Sequence, residues 1–527
     1  MIPAFTDGVP VAECASVNTP VQQDASATLN RLFDEAVRRF PQRPFLIAEA
    51  DGSRFTFSDA AQVVHRIAAA LFSAGLKKGD RVAIVSAFHA EAVLLILACW
   101  QRGLIPAPLN HRSAPRAAFQ AFELVTPRMV FVDRPRRDVV SSFEGPVVVF
   151  DDSDESLPTA GTRFCDWLDE KGDGNPPDDC PDERDPGVIL FTSGTTGEPK
   201  GVTLSHGSLW RSGALVQKIY GWNENDTLWS IGELHAMSGL RNPCIASLHA
   251  GCAVLCARES ASANVLSVVD CAARQRCTIA SATPALLRQL VDQSGRLSGD
   301  GISLRHIICT GSALRVDTIT RFVEHYRVPV YNYYGLTETT GICTAVPPGS
   351  AKAMTDTVGK AAGTTLRIEN GELLVGPCNL MLGYWNNPTA TAAMIRDGWL
   401  HTGDEARIDD EGYVTLKGRI RDIVKDSRGD LIHPAEIEEA LLKSSLLKDA
   451  GVCGFLSAHG DERMAAFVVP RQPGADEAAL VDALRRQVAL QLGNHRIPSR
   501  FVLRKSLPRD GLGSLLRREL AMELRDA

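Results

Sequence analysis

Apolar residues recur along this chain with two alternating periods. In ATLNRLFDEAVRRF (27–40) they fall at helical spacing, and RVAIVSAFHAEAVLLILACWQRGLIPAPLN (81–110) reads as strand, helix, strand, punctuated by Gly103 and Pro106. The alternation returns. DTLWSIGELH (226–235) leads through a helical stretch to GCAVLCA (251–257), and CTIASA (277–282) runs into TPALLRQLVDQ (283–293). LRHIICTG (304–311) and VPVYNYYG (328–335) are further apolar strands that end in glycine. Strands alternating with helices predict layered α/β structure with largely parallel sheets. The polar segment 153–185 reads as a loop or lid linker. From Gly371 the texture changes to short strand-like pieces, GELLVG, DGWLHTGD and GYVTLKGR, which predict a small β subdomain. Beyond Arg419 two helical patterns (434–444, 476–492) and two strand patterns (449–456, 463–470) predict a compact α+β tail.

Composition narrows the function classes. The chain has 527 residues, 44% hydrophobic and 23% charged, as in an ordinary globular protein. A net charge of −7 with no basic face argues against nucleic acid as a partner. The 13 cysteines contain no CxxC pair and read as reduced, mostly buried thiols. AEAVLLILACW is too short to span a bilayer, and 1–25 lacks a basic n-region, so a cytoplasmic location is expected.

The sharpest local signal is ILFTSGTTGEPKG (189–201). Bare glycine backbone lets N–H groups converge on phosphate oxygens, where a bulky side chain would block the approach. Thr192, Ser193, Thr195 and Thr196 add hydroxyl donors around Gly194 and Gly197, and Lys200 adds a positive charge. The run reads as a polyphosphate grip. It is not a P-loop, because no Ser or Thr follows the lysine.

With ELHAMSGL (233–240), CTGSAL (309–314), YNYYGLTETTG (331–341) and DGWLHTGDEARIDDEGYVTLKGRIRDIVK (397–425) following in order, the chain resembles the adenylate-forming superfamily of acyl- and aryl-CoA ligases, luciferases and adenylation domains, over nearly its whole length. The resemblance implies a large N-terminal ATP- and acyl-binding domain (1–420) and a small mobile α+β C-terminal domain (421–527), hinged at Arg421. It implies ATP-dependent activation of a carboxylic acid as an acyl-adenylate, then transfer to a thiol, most simply coenzyme A. An amine or a separate carrier protein stays open as acceptor, and a homodimer stays open as assembly. Glu338 would hold the Mg²⁺ that bridges ATP phosphates, and Thr337 would bond the α-phosphate. Gly311, Ser312, Ala313, Asn332, Tyr333, Tyr334 and Gly335 would surround the nucleotide, with Tyr334 stacked on adenine. Asp404 and Arg419 would take the ribose. His235 would gate an acyl pocket lined by Ala236, Met237, Ser238 and Gly239 near Gly335 and Gly341, small and apolar enough for aryl or medium aliphatic acids. Lys425 would face the thioester-forming step. Adenylation domains for α-amino acids usually carry an Asp here that pairs with the substrate ammonium, whereas this chain has Leu234, His235, Ala236 and Met237, so the resemblance favours an acid without an α-amino group.

One position departs from the resemblance. In LPRDGLGSLLRREL (507–520), Ser514 stands where the superfamily carries a lysine that bridges the acid and the α-phosphate. Three readings stay open: an altered residue, substitution by another cation such as Lys505 or Arg509, or slow adenylation with use of preformed adenylate. The last shades into a nucleotide-binding homologue with impaired catalysis.

Overall fold

The structure is a computed structural model. It describes residues 27–48, 52–110, 115–133, 140, 143–150, 161–174, 180–193, 199–230, 232–256, 265–294, 303–425, 431–456, 462–472, 474, 476–509 and 513–524. Contacts divide the chain into two compact units, Met1–Thr365 with Val375–Leu400, and Leu366–Leu374 with His401–Ala527.

The first unit carries two parallel sheets. In one, Arg81–Val85 lies between Ile105–Pro108 and Met129–Val132, with Val147–Val149 and Thr162–Arg163 beyond. In the other, the parallel order is Pro44–Ala48, Ala253–Cys256, Thr227–Ser230, Ile279–Ala282, His306–Cys309, Val330–Tyr334. Ala253–Cys256, Ile279–Ala282 and His306–Cys309 are buried along their whole length, which is why they read as largely apolar runs. Helices Ala90–Gln101 and His206–Tyr220 fill the core with Leu94, Trp100, Leu209 and Tyr220. A separate antiparallel sheet joins Pro186–Ser193, Pro199–Ser205 and Gly383–Tyr384.

The expected linker at 153–185 is corrected in part. Residues 151–160 and 175–179 lie outside the described residues, but Thr162–Arg163 is a strand and Phe164–Lys171 a helix. Phe164, Trp167 and Leu168 are buried, and the Trp167 ring meets Phe131 edge-on at 5.2 Å. Their i, i+3, i+4 spacing was hidden by the Asp, Glu and Lys of the solvent face.

In the second unit, Tyr413–Arg419 pairs antiparallel with Trp399–Ile408, whose residues from His401 onward belong here. Leu447–Leu456, Glu462–Pro470 and Arg500–Leu503 form a second sheet, covered by Pro434–Leu442 and Glu477–Leu492. The α+β tail is as the periodicity predicts. All 12 described cysteines are free. No helix among the described residues is long and apolar enough to cross a membrane.

Candidate active site

Ligands of α/β sheets collect at the carboxyl ends of parallel strands, where loops replace side-chain packing. Segment 232–236 follows Thr227–Ser230 after one undescribed residue, Gly311–Ala313 follows His306–Cys309 closely, and Gly335–Glu338 follows Val330–Tyr334 directly. Residues scattered over a hundred positions thus share one sheet edge.

Glu338 sits in a single 3₁₀ turn, Thr337–Thr339, and is 8% exposed. The Leu336 amide donates to Thr339 Oγ1 at 2.9 Å, and Thr340 turns left-handed to close the loop. Gly335 is required here, because a Cβ on it would lie 2.5 Å from the carbonyl carbon of Gly341. Tyr384 holds the Glu338 carboxylate, its hydroxyl donating to Oε1 at 2.8 Å. Burial and the neighbouring Glu338 charge push the Tyr384 phenol well above its ordinary range, so it remains a donor. Lys200 Nζ lies 4.9 Å from the centroid of the same ring. The antiparallel sheet explains the meeting: Lys200 pairs with Thr192 in one hairpin, and Tyr384 pairs with Val202 on its other edge. Of the predicted grip, Thr192 and Lys200 are placed on this hairpin and Ser193 is placed by backbone; Gly194, Thr195, Thr196 and Gly197 lie outside the described residues.

His235 is half-buried, with Nδ1 3.7 Å from Glu233 Oε2. Gly311 takes φ +105° at its strand end, with Ser312 half-buried and Ala313 exposed. The strand Val330–Tyr334 sends alternate residues to opposite faces. Tyr334 is half-buried on the face it shares with Asn332, whose amide donates to Thr357 O at 3.2 Å. Tyr333 points the other way, is 1% exposed, and accepts a hydrogen bond from Arg241 Nη2 at 2.9 Å.

In the second unit, Asp404 and Arg419 face each other across the antiparallel pair, with Nε to Oδ1 at 2.8 Å. Arg419 Nη1 also donates to Thr402 O at 3.1 Å. Asp404 is 5% exposed, and such a carboxylate, acceptor-only, suits a diol. Lys425 is placed by backbone, opposite Leu431. Arg421 is exposed in the turn Ile420–Asp422.

Among the described residues no group of three or more His, Cys, Asp or Glu could hold a metal. A cation at Glu338 would therefore draw most of its ligands from phosphates and water, which fits a nucleotide-borne Mg²⁺.

The family model for AMP-binding enzymes matches residues 33–385, and that for their C-terminal domain matches 436–513. The chain belongs to the AMP-binding enzyme family. It is 30% identical over 498 residues to an indoleacetate–CoA ligase of Aromatoleum aromaticum, covering 90% of this chain and 92% of that one. A 4-coumarate–CoA ligase of Oryza sativa is 28% identical, covering 92% and 90%. A crystal structure of an ATP-bound RpMatB–BxBclM chimera superposes with a TM-score of 0.85 at 25% identity, covering 95% of this chain and 99% of that one.

The family's C-terminal match ends at Gly513, one residue before Ser514. Ser514 is half-buried beside Gly513, whose φ is +87°. Arg509 shapes this loop: Nη1 donates to Gly513 O at 2.8 Å, and Nη2 donates to both Asp449 oxygens at 2.8 and 2.9 Å. Arg509 is thus committed to Asp449 and is no spare cation. Arg517 is likewise held by Glu438 and Val452 O. Lys505 is exposed.

Sequence reasoning missed Tyr384, Glu233 and Arg241. The Tyr-Trp pair after Gly383 was a signal for the first. Glu233 opens ELHAMSGL, two residues before His235, and nothing local marks Arg241.

Proposed function

We infer that this AMP-binding enzyme is an AMP-forming acid–CoA ligase. The carboxylate of the acid attacks the α-phosphorus of ATP and pyrophosphate leaves. A thiol then attacks the acyl carbon, a thioester forms, and AMP departs. The observation that carries the reading is Glu338, buried at the carboxyl edge of the parallel sheet and held by Tyr384 against the hairpin that bears Lys200.

Lys200 places positive charge beside the departing pyrophosphate, preorganised by its hairpin and by the Tyr384 ring. Glu338 would hold a Mg²⁺ whose charge neutralises the same oxygens. Thr192 and Ser193, at the end of their strand, lead into the glycine–hydroxyl segment that would bind the triphosphate. Thr337 bonds the α-phosphate, Tyr334 stacks on adenine, and Gly311–Ala313 line its edge. Asp404 accepts from the ribose hydroxyls with Arg419 beside it. His235 closes the acid's side of the pocket. The working division lies at 1–420 and 421–527, with Arg421 as hinge and Lys425 on the face used with the thiol.

The test mixes protein, MgATP and a panel of carboxylic acids, with and without coenzyme A. Pyrophosphate that requires an acid, and acyl-CoA that requires both, are the expected products. Pyrophosphate without acyl-CoA moves the acceptor to an amine or a carrier protein. No pyrophosphate with any acid overturns the reading.

A further inference from the structure

Arg241 is fully buried, at the end of the helix Met237–Arg241, where the chain widens into a π-helical turn, Asn242–Ala246. Its guanidinium is fixed by neutral acceptors. Nε donates to Asn242 Oδ1 at 3.0 Å, and Nη2 donates to the Tyr333 hydroxyl at 2.9 Å, with Cζ 5.3 Å from that ring's centroid. Asn242 is itself tied to Ser281 Oγ at 2.9 Å. Ser281 and Tyr333 belong to strands of the parallel sheet, near the carboxyl end of each. Nη1 makes no hydrogen bond, and among the described residues no carboxylate pairs with this cation.

A buried charge balanced only by neutral groups is retained against a large desolvation penalty, and a buried donor without a partner asks for a reason. The direction of Nη1 supplies one. A Cβ built on Gly341 would lie 3.0 Å from Nη1 and 2.5 Å from Met237 Cγ. Gly341 closes the turn that holds Glu338, and Met237 starts the helix behind His235. The unpaired N–H therefore lies by Gly341, on the wall assigned to the acid, and Met237, a side chain with three rotatable bonds, lies by the same glycine.

We propose that Arg241 is a specificity-determining residue that selects acids carrying a second anionic group, a carboxylate, at the end remote from the one activated. This rests on the ligase reading and adds one charged donor to the expected pocket of small, apolar residues. Met237 turns away, Nη1 donates to the remote carboxylate, and the buried charge gains its counter-ion.

The experiment measures kcat/KM for acid-dependent pyrophosphate release with matched pairs: hexanoate against adipate, and 3-phenylpropanoate against 3-(4-carboxyphenyl)propanoate. The wild-type protein is expected to favour the diacid of a pair by on the order of 10–100-fold, carried in KM, the worth of one charge-assisted hydrogen bond. Arg241→Met is expected to reverse that ratio and Arg241→Lys to keep part of it. If Arg241→Met does not fold, the wild-type ratio and the lysine variant decide. Equal or better turnover of the plain monoacids by the wild type overturns the Arg241 assignment alone. Absence of pyrophosphate with every acid overturns the ligase reading and this inference with it.

Discussion

Replacing Tyr384 by phenylalanine isolates one hydroxyl. The ring stays, so its contact with Lys200 Nζ at 4.9 Å is kept, and the buried strand pairing with Val202 is untouched. What disappears is the 2.8 Å donation to Glu338 Oε1. A hydrogen bond to a charged acceptor contributes about 1.5–3 kcal/mol, and tenfold in an equilibrium corresponds to about 1.4 kcal/mol. If that energy fixes Glu338 where it meets a nucleotide-borne cation, the variant should lose roughly 10–100-fold in kcat/KM for MgATP. The loss should shrink as Mg²⁺ is raised, because excess cation compensates for a poorly held ligand. The assay is pyrophosphate release at fixed acid, with ATP and Mg²⁺ varied independently, beside a thermal melt. Tyr384→Leu, which also removes the ring under Lys200, should be worse. An unchanged Mg²⁺ dependence in Tyr384→Phe, with unchanged kcat/KM, would refute the idea that Tyr384 positions Glu338.

Ser514→Lys should raise the rate of pyrophosphate release by about 10²–10³-fold, since Arg509 is occupied by Asp449 and Gly513; an unchanged rate would mean the Gly513–Ser514 loop never reaches the nucleotide. Gly341→Ala should lower the melting temperature and raise KM for the acid, because φ is +84° and the new methyl would lie 2.5 Å from Met237 Cγ, with about 1–2 kcal/mol from the left-handed backbone alone; wild-type melting and KM would count against it. Buried His89 lies 2.8 Å from Glu91 and 3.1 Å from Asp133. Burial alone would lower its pKa, but the hydrogen bonds and charges of both carboxylates outweigh this and raise it above 6.5, while Asp133 is lowered below 3.8. The stabilisation by His89 is therefore full below pH 6.5 and is lost as pH rises through the raised value, and that by Asp133 is lost as pH falls through its own lowered value. Melts of wild type and His89→Gln across pH should differ most on the mildly acid side and converge in alkali; a constant gap would sink the assignment.

Much of this protein was decided locally. Strands of a covered parallel sheet are mostly apolar, so 279–282, 306–309 and 330–334 could be read from their apolar runs, the last two with a glycine stop. The glycine–hydroxyl run, Glu338, Asp404 and Arg419 could be singled out because each stands in a short stretch of its own, TSGTTGEPKG, YGLTE, HTGD and KGR. Long-range pairing was not legible. Tyr384 is 46 residues from Glu338 and reaches it only because Gly383–Tyr384 adds to the Lys200 hairpin. Arg241 meets Tyr333 across 92 positions, and its sequence neighbourhood looks like an ordinary helix end. Tyr333 and Tyr334 read as equivalent until the pleat sends them to opposite faces. Motifs are fixed by what one backbone segment can present; which side chain lacks a partner is fixed only once distant segments have packed, because burial and pairing are properties of the whole core.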